Sequence, residues 1–405
     1  MIRLDVPCIL TLLDTYLPGY RAGGPITTIA NVVEQLGQEF NFRIVTRDRD
    51  LGDSSPYPTL INNQWLRLGN ASVFYVKPGI MGLVTVTKQL VSADRDTVLY
   101  LNSFFSLPFS ILPIVLRWIG FLKIDKVLLA PRGEFSPGAL AINSLKKRVY
   151  VALAGKLGLY KEILWQSSTE IEMQDIYKVL REGLAPGAMQ LVIVAKDIAS
   201  APSAVSAPKP GRQSYRRKTS GQLRVIFLAR ISKMKNLIDA LSYFHHLKGD
   251  VEFAIYGPVE DQEYWKKCKV AMKCLPPNVR ATYYGPVQPL QVHTLLSDYD
   301  LLLLPTLGEN YGHVISEALM AGSPALISDR TPWQNLEEHG VGWSVPLSEP
   351  KRFEAILQQC LDADEYDYAA LRQRVEKYRD TLLCDTATVE DNRRMFQFAY
   401  RSESF

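Results

Sequence analysis

"LLLLPTLGENYGHVISEALMAG", residues 301–322, holds the reading of the fold. Four leucines closed by Pro305 are too short an apolar run for a helix. Such a run reads as a strand buried on both faces, which belongs in a parallel sheet covered by helices. Gly308 and Gly312 punctuate the loop that follows, and a helix is expected to start near Gly312. Glu309 then stands in front of the helix and Glu317 lies in its second turn, about 7–8 Å along the axis. A helix that only filled a core would not need carboxylates at the mouth of a buried strand.

The same alternation runs through the chain. Short β-branched or apolar runs separated by amphipathic stretches occur in the first half as "PCILTLL", "FRIVTR", "SVFYVK", "TVLYLN", "KVLLAP" and "EILWQS". The second half repeats the theme with "LRVIFLA", "VEFAIYG", "RATYYGP", "DLLLLPT", "SPALIS" and "GWSVPL". Two such series predict an α/β protein of two Rossmann-like doubly wound domains facing a central cleft. The expected divisions are a first domain over 1–200, a linker over 201–222, a second domain over 223–380, and a C-terminal helix over 381–405 that docks back on the first domain. The linker, "ASAPSAVSAPKPGRQSYRRKTSGQ" from residue 199, has no apolar period and cannot bury a face.

A chain of 405 residues exceeds one ordinary core, and a net charge of +4 does not suit a dedicated nucleic-acid binder. Cys8, Cys268, Cys274, Cys360 and Cys384 are scattered without metal-ligand spacing, which fits a reduced, cytoplasmic protein. The apolar N-terminal stretch is broken by Asp14 and reads as a strand, not a signal peptide. Residues 106–131 are greasy but interrupted by Arg117, Lys123, Asp125 and Lys126, too often for a bilayer span.

In doubly wound folds ligands bind beyond the carboxyl ends of the strands. After "VIFLA", Arg230, Lys233 and Lys235 gather ahead of a helix expected near Asn236. Cations beside a helix N-terminus suit a phosphate or diphosphate. Tyr256-Gly257-Pro258 ends another strand, and its main chain is a candidate for meeting a flat base; the alternative is an ordinary strand-ending turn. Glu309 and Glu317 accept hydrogen bonds only, and the vicinal hydroxyls of a ribose and a hexose offer paired donors. A nucleotide-sugar presents both, one at each end of its diphosphate.

The spacing from Glu309 to Glu317, the flanking "LPT" and "EALMAGSPALIS", and the upstream Arg230 and Lys235 resemble retaining glycosyltransferases of family 4, glycosyl transferases group 1, which have the GT-B fold. "YLPGYRAGGPITTIANVVEQL" (16–36) is similar to the glycine-rich loop and first helix of that family, and "APRGEFSPGAL" (130–140) to its bacterial polysaccharide members. The resemblance implies a hexosyltransferase with a nucleoside diphosphate-sugar donor, a glycan or lipid-linked acceptor, and no other cofactor. By the same resemblance Arg230 and Lys235 hold the diphosphate, with Lys233 a competitor, Glu309 lies at the transferred sugar and Glu317 at the ribose. Asn310, Tyr311, Gly312, His313 and Val314 would meet phosphate or sugar, and Gly23 and Gly24 would close on the diphosphate. Some members use a first-domain histidine, but all five here, from His245 to His339, lie in the second half. Arg132 and Glu134 are the acceptor-side candidates in its place.

Asp298-Tyr299-Asp300 matches a metal-binding D-x-D pattern but precedes its strand, at the end away from the cleft, so no metal site is expected. "LRWIGFLK" (116–123), "LKKRVY" (145–150) and "YRRK" (215–218) mix cations with aromatics, as peripheral proteins do at anionic lipid, though surface loops and a buried helix of the first sheet would read the same; the resemblance implies the inner face of the cytoplasmic membrane. Two other readings suit the same residues: a sugar-nucleotide epimerase or hydrolase, and a catalytically silent binding subunit.

Overall fold

A computed structural model describes residues 6–58, 64–141, 144–187, 190–199, 217–383 and 385–402. Residues 201–216 of the expected linker, part of the "YRRK" stretch, and Cys384 lie outside the described residues. The chain divides into two compact units, Met1–Ile198 with Thr386–Phe405, and Ala199–Asp385.

The first unit holds an eight-stranded sheet of β1 (Cys8–Leu12), β2 (Asn41–Arg47), β3 (Trp65–Leu68), β4 (Ala71–Val76), β5 (Val98–Leu101), β6 (Val127–Leu129), β7 (Leu164–Ser167) and β8 (Val192–Val194). The order is β3-β4-β2-β1-β5-β6-β7-β8, with β3 alone antiparallel to its neighbour. The strands at its centre are buried throughout because helices cover both faces, which is why they read as unbroken apolar runs. The helix Gly24–Leu36 follows β1, with Gly23 at its N-cap (φ 70°) and Pro25 in its first turn. The C-terminal helix Thr386–Arg401 belongs to this unit: the Phe396 ring lies 5.5 Å from Phe40, 5.6 Å from Phe42 and 5.4 Å from Tyr100.

The second unit holds six parallel strands, β9 (Gln222–Leu228), β10 (Asp250–Tyr256), β11 (Val279–Gly285), β12 (Leu301–Leu304), β13 (Ala325–Ser328) and β14 (Gly342–Val345). Their order, β11-β10-β9-β12-β13-β14, runs outward through three strands and then restarts on the other side of β9. That reversal is the Rossmann arrangement, whose crevice opens beyond the strands on either side of the switch. β9 pairs with β10 along its whole length, but with β12 only at Val225–Leu301 and Ile226–Leu302. The loops after the carboxyl ends of β9 and β12 therefore stand side by side at the switch. Among the described residues no helix is long and apolar enough to cross a membrane.

Candidate active site

The loop after β9 leads into a helix beside Asn236, as expected, but not directly. It makes one tight turn, Lys233–Lys235, then passes Asn236 in the left-handed region (φ 59°, ψ 42°) before a six-residue helix, Leu237–Ser242. Asparagine tolerates that conformation better than most residues, and here its amide has a use. Asn236 Nδ2 donates to the Pro305 carbonyl at 3.0 Å and to Asp239 Oδ2 at 2.8 Å. Leu307 N and Thr306 Oγ1 both donate to the Met234 carbonyl, at 2.8 and 3.0 Å. Three hydrogen bonds thus lace the basic loop to the loop after β12.

The lacing brings Lys235 Nζ to 2.5 Å from Glu309 Oε1, with the two side chains 15% and 10% exposed. Glu309 is further fixed by its own N–H, which donates to the Arg330 carbonyl at 2.9 Å. Lys233 is exposed, so geometry separates the two lysines that spacing could not. Arg230 does not join the pair: its Nη1 lies 3.0 Å from Glu260 Oε1, beyond β10, and both groups are partly exposed. An exposed pair of this kind contributes under about 1 kcal/mol, so the guanidinium exchanges partners readily.

Gly312 caps the helix His313–Met320 from the left-handed region (φ 80°), and an added Cβ would meet Ile315 Cδ1 at 2.9 Å. Tyr311 precedes it, its ring 4.8 Å from the His313 imidazole and its carbonyl accepting from Trp333 Nε1 at 2.6 Å. Asn310 and Val314 are half-buried in the same turn. Glu317 sits one turn in, on the half-buried side of the helix. Burial pushes its carboxyl above the usual carboxylate range, and the neighbouring His313 pulls it partly back. The arrangement offers an ammonium that donates, two carboxylates that accept, and a helix start, all at one switch point. Such a set can hold an anion with hydroxyls on either side of it.

The Tyr256-Gly257-Pro258 turn is engaged inside the fold. The Tyr256 carbonyl accepts from Ala229 N at 3.1 Å, the Pro258 carbonyl from Ile231 N at 2.9 Å, and Gly257 N donates to the Gly285 carbonyl at 2.8 Å. A Cβ on Gly257 (φ 133°) would meet the Ala229 carbonyl at 1.9 Å, so this glycine is needed for the close approach of two strand ends. Asp300 is likewise occupied: its carboxylate accepts from Arg224 N at 2.8 Å and from Arg224 Nη2 at 3.3 Å, at the entering end of β12.

In the first unit, Arg132 (φ 56°) is buried within a polar network. Its guanidinium reaches Asp197 at 2.9 Å, Asn102 Oδ1 at 2.8 and 3.1 Å, Ser168 at 3.1 Å and the Tyr100 hydroxyl at 2.5 Å. Glu134 accepts from Phe104 N at 2.6 Å, Phe105 N at 3.0 Å and Ser103 Oγ at 2.9 Å, and burial raises its pKa. Both side chains tie strand ends together. Gly23 and Gly24 stand at the start of the first helix, where a Cβ on Gly23 would meet nothing within 4 Å. Sequence reasoning missed Asn236 and Trp333 as the residues that fix this site; an asparagine between a basic turn and an apolar run was the available signal for the first.

Among solved structures the chain resembles a sucrose-phosphate synthase from Thermosynechococcus elongatus at 13% identity, covering 96% of this chain and 98% of that one with a TM-score of 0.66. It also resembles Anabaena Alr3699/HepE, solved in complex with UDP-glucose, at 16% identity over 96% and 98% of the chains, TM-score 0.65. WaaG, a glycosyltransferase involved in lipopolysaccharide biosynthesis, matches at 13% identity over 97% and 100%, TM-score 0.62. At such identities these likenesses establish the fold, which is GT-B. No curated protein sequence matches the chain. Residues 212–379, nearly all of the second unit, match the family glycosyl transferases group 1.

Proposed function

We propose that the chain is a metal-independent, retaining glycosyltransferase of family 4. It moves a hexose from a nucleoside diphosphate-sugar to a glycan or lipid-linked acceptor in cell-surface polysaccharide synthesis, at the inner face of the cytoplasmic membrane. The observation that carries this reading is the Lys235–Glu309 pair at the switch point, with Glu317 one turn into the adjoining helix. The family match over the second unit and the UDP-glucose bound to the Anabaena neighbour support the donor class.

In this mechanism Lys235 transfers its hydrogen bond from Glu309 to the donor diphosphate, and Arg230 leaves Glu260 to join it. Glu309, so released, accepts from the hexose hydroxyls, and Glu317 accepts from the ribose. The N–H groups at the start of the helix His313–Met320 add their dipole. As the bond from the anomeric carbon to the phosphate oxygen breaks, charge grows on the diphosphate, and the two cations stabilise it. The acceptor oxygen bonds to that carbon on the same face, and its proton passes to the leaving diphosphate oxygen. No protein base is needed, which suits a first half without histidine.

The test is transfer by Lys235→Ala and Glu309→Gln, after a panel of UDP-, GDP- and ADP-sugars has been screened for thermal stabilisation to choose the donor. Each variant should lose on the order of a hundredfold in kcat while still melting cooperatively. Full activity in either variant refutes the assignment. Reaction of the donor without acceptor, giving an epimer or free sugar at the same rate, would point to the epimerase or hydrolase instead.

A further inference from the structure

The helix Ser144–Leu157 in the first unit presents an unusual outward face. Its exposed positions are Leu145, Val149, Leu153 and Leu157, three cations (Lys146, Arg148 and Lys156), and one alanine. The four aliphatics recur every fourth residue and are 44–75% exposed. Helical spacing of this kind makes one continuous stripe. A helix facing water carries acids and amides; this exposed face carries neither.

A second segment extends the patch. Trp118 Nε1 donates to the Leu157 carbonyl at 3.0 Å, which sets the Trp118–Phe121 turn against the C-terminal end of the helix. Arg117 donates to the carbonyls of Lys161 and Glu162 at 3.2 and 3.3 Å and fixes the same corner. Trp118, Ile119 and Phe121 are about half exposed there, at 49%, 58% and 56%. Exposed Lys123 and Lys161 flank them; the acids next to these, Asp125 and Glu162, lie 3.0 and 3.8 Å from Arg95 and Arg117.

We infer that this face of the first unit lies on a bilayer with anionic headgroups, its aliphatics and Trp118 seated at the acyl boundary and its cations among the phosphates. Contiguous apolar surface marks an interaction site. Cations on flexible stems around the stripe, and an indole at its end, are what a membrane interface selects. A second copy of the chain is a poor occupant, because a two-fold contact would press like charges together. The inference rests on the membrane location proposed above but not on the donor site, and it is tested without any sugar nucleotide, so its failure leaves the transferase reading standing.

The full chain is floated with vesicles of phosphatidylcholine alone and of phosphatidylcholine mixed with phosphatidylglycerol. Binding should require the anionic lipid and weaken with salt. The triple variant Lys146→Glu, Arg148→Glu, Lys156→Glu should lose on the order of a hundredfold in partitioning, at about tenfold for each 1.4 kcal/mol and about 1 kcal/mol per cation. Val149→Ser with Leu153→Ser should also release it, and both variants should melt like the wild type because the changed side chains are exposed. Trp118 emission should shift to the blue on binding, read as the difference between wild type and Trp118→Phe. Equal binding to both vesicle types, no binding, or an unchanged Trp118 signal overturns the inference. So does self-association in sedimentation that the Val149→Ser, Leu153→Ser variant abolishes, or selective capture of an acidic protein with no partitioning to lipid.

Discussion

Replacing Asn236 separates what its backbone does from what its amide does. Asn236 is buried, stands at φ 59°, and joins the two loops of the switch point through Nδ2 to the Pro305 carbonyl at 3.0 Å. Alanine there loses the bonds to Pro305 and Asp239, about 1 kcal/mol each, with a further cost of about 1–2 kcal/mol if the Pro305 carbonyl is left unsatisfied. It also adds about 1 kcal/mol for holding a Cβ in the left-handed region without the local hydrogen bonding that favours asparagine. The sum is a destabilisation of about 3 kcal/mol, or about 4–5 kcal/mol with the carbonyl unsatisfied, in the upper range for a single substitution. Glycine removes the backbone cost but not the lost amide, so Asn236→Gly should recover about 1 kcal/mol of that loss. Function should not recover with it. Lys235 is the adjacent residue, and a displacement of about 1 Å at such a group costs on the order of a hundredfold. Both variants should therefore bind the stabilising nucleotide-sugar at least tenfold more weakly and lose kcat/KM, while differing in melting temperature. Chemical denaturation gives the stabilities, and donor titration followed by initial rates gives the rest. If Asn236→Gly binds and turns over like the wild type, the bridge between the loops has no part in positioning Lys235.

Other outcomes follow from the same geometry. Arg132→Ala leaves Asp197 buried beside Ser168 and Thr28 without its cation. It should destabilise the first unit by about 3–5 kcal/mol in a denaturant melt; a variant of unchanged stability but lost transfer would support Arg132 as an acceptor-side group. Gly257→Ala drives a Cβ into the Ala229 carbonyl and should cost the second unit about 2–5 kcal/mol by the same measurement, with an unchanged melt ruling out the close approach. Glu317 carries a pKa raised by burial, so on acidification it protonates earlier than an ordinary glutamate and ceases to be a pure acceptor. The acid limb of kcat/KM for the donor should thus fall at a pH above the usual carboxylate range, and Glu317→Gln should flatten it. His313→Ala removes the charge that pulls the Glu317 pKa down and should move the limb further up; a limb unmoved in both variants assigns it to another group.

In the second unit β12 and β13 were legible as continuous apolar runs buried on both faces, and β9 and β10 by the apolar stretches that end them. β3 and β8 were not. β3 is a four-residue antiparallel edge with Trp65 and Leu66 partly buried and Arg67 and Leu68 exposed, and β8 is a three-residue edge, so neither leaves a period to read. The site divides along the same physical line. Glu309 and Lys235 could be nominated because each follows a strand end, and strand ends are where chemistry-bearing loops collect. Arg230 could be nominated the same way, but its partner Glu260 is 30 residues downstream and reaches it only through the neighbouring loop. The role of Arg132 was less visible still, since Asn102, Ser168 and Asp197 lie 30, 36 and 65 residues away in sequence. A sequence pattern reports the backbone context of a charged residue; what the charge is paired with depends on which strands the topology sets side by side. The switch between β9 and β12 sets together two loops separated by some seventy residues and joins Lys235 to Glu309. The catalytic reading therefore rests on the strand order as much as on the residues, and a permuted sheet with the same two loops apart would carry every motif and no site.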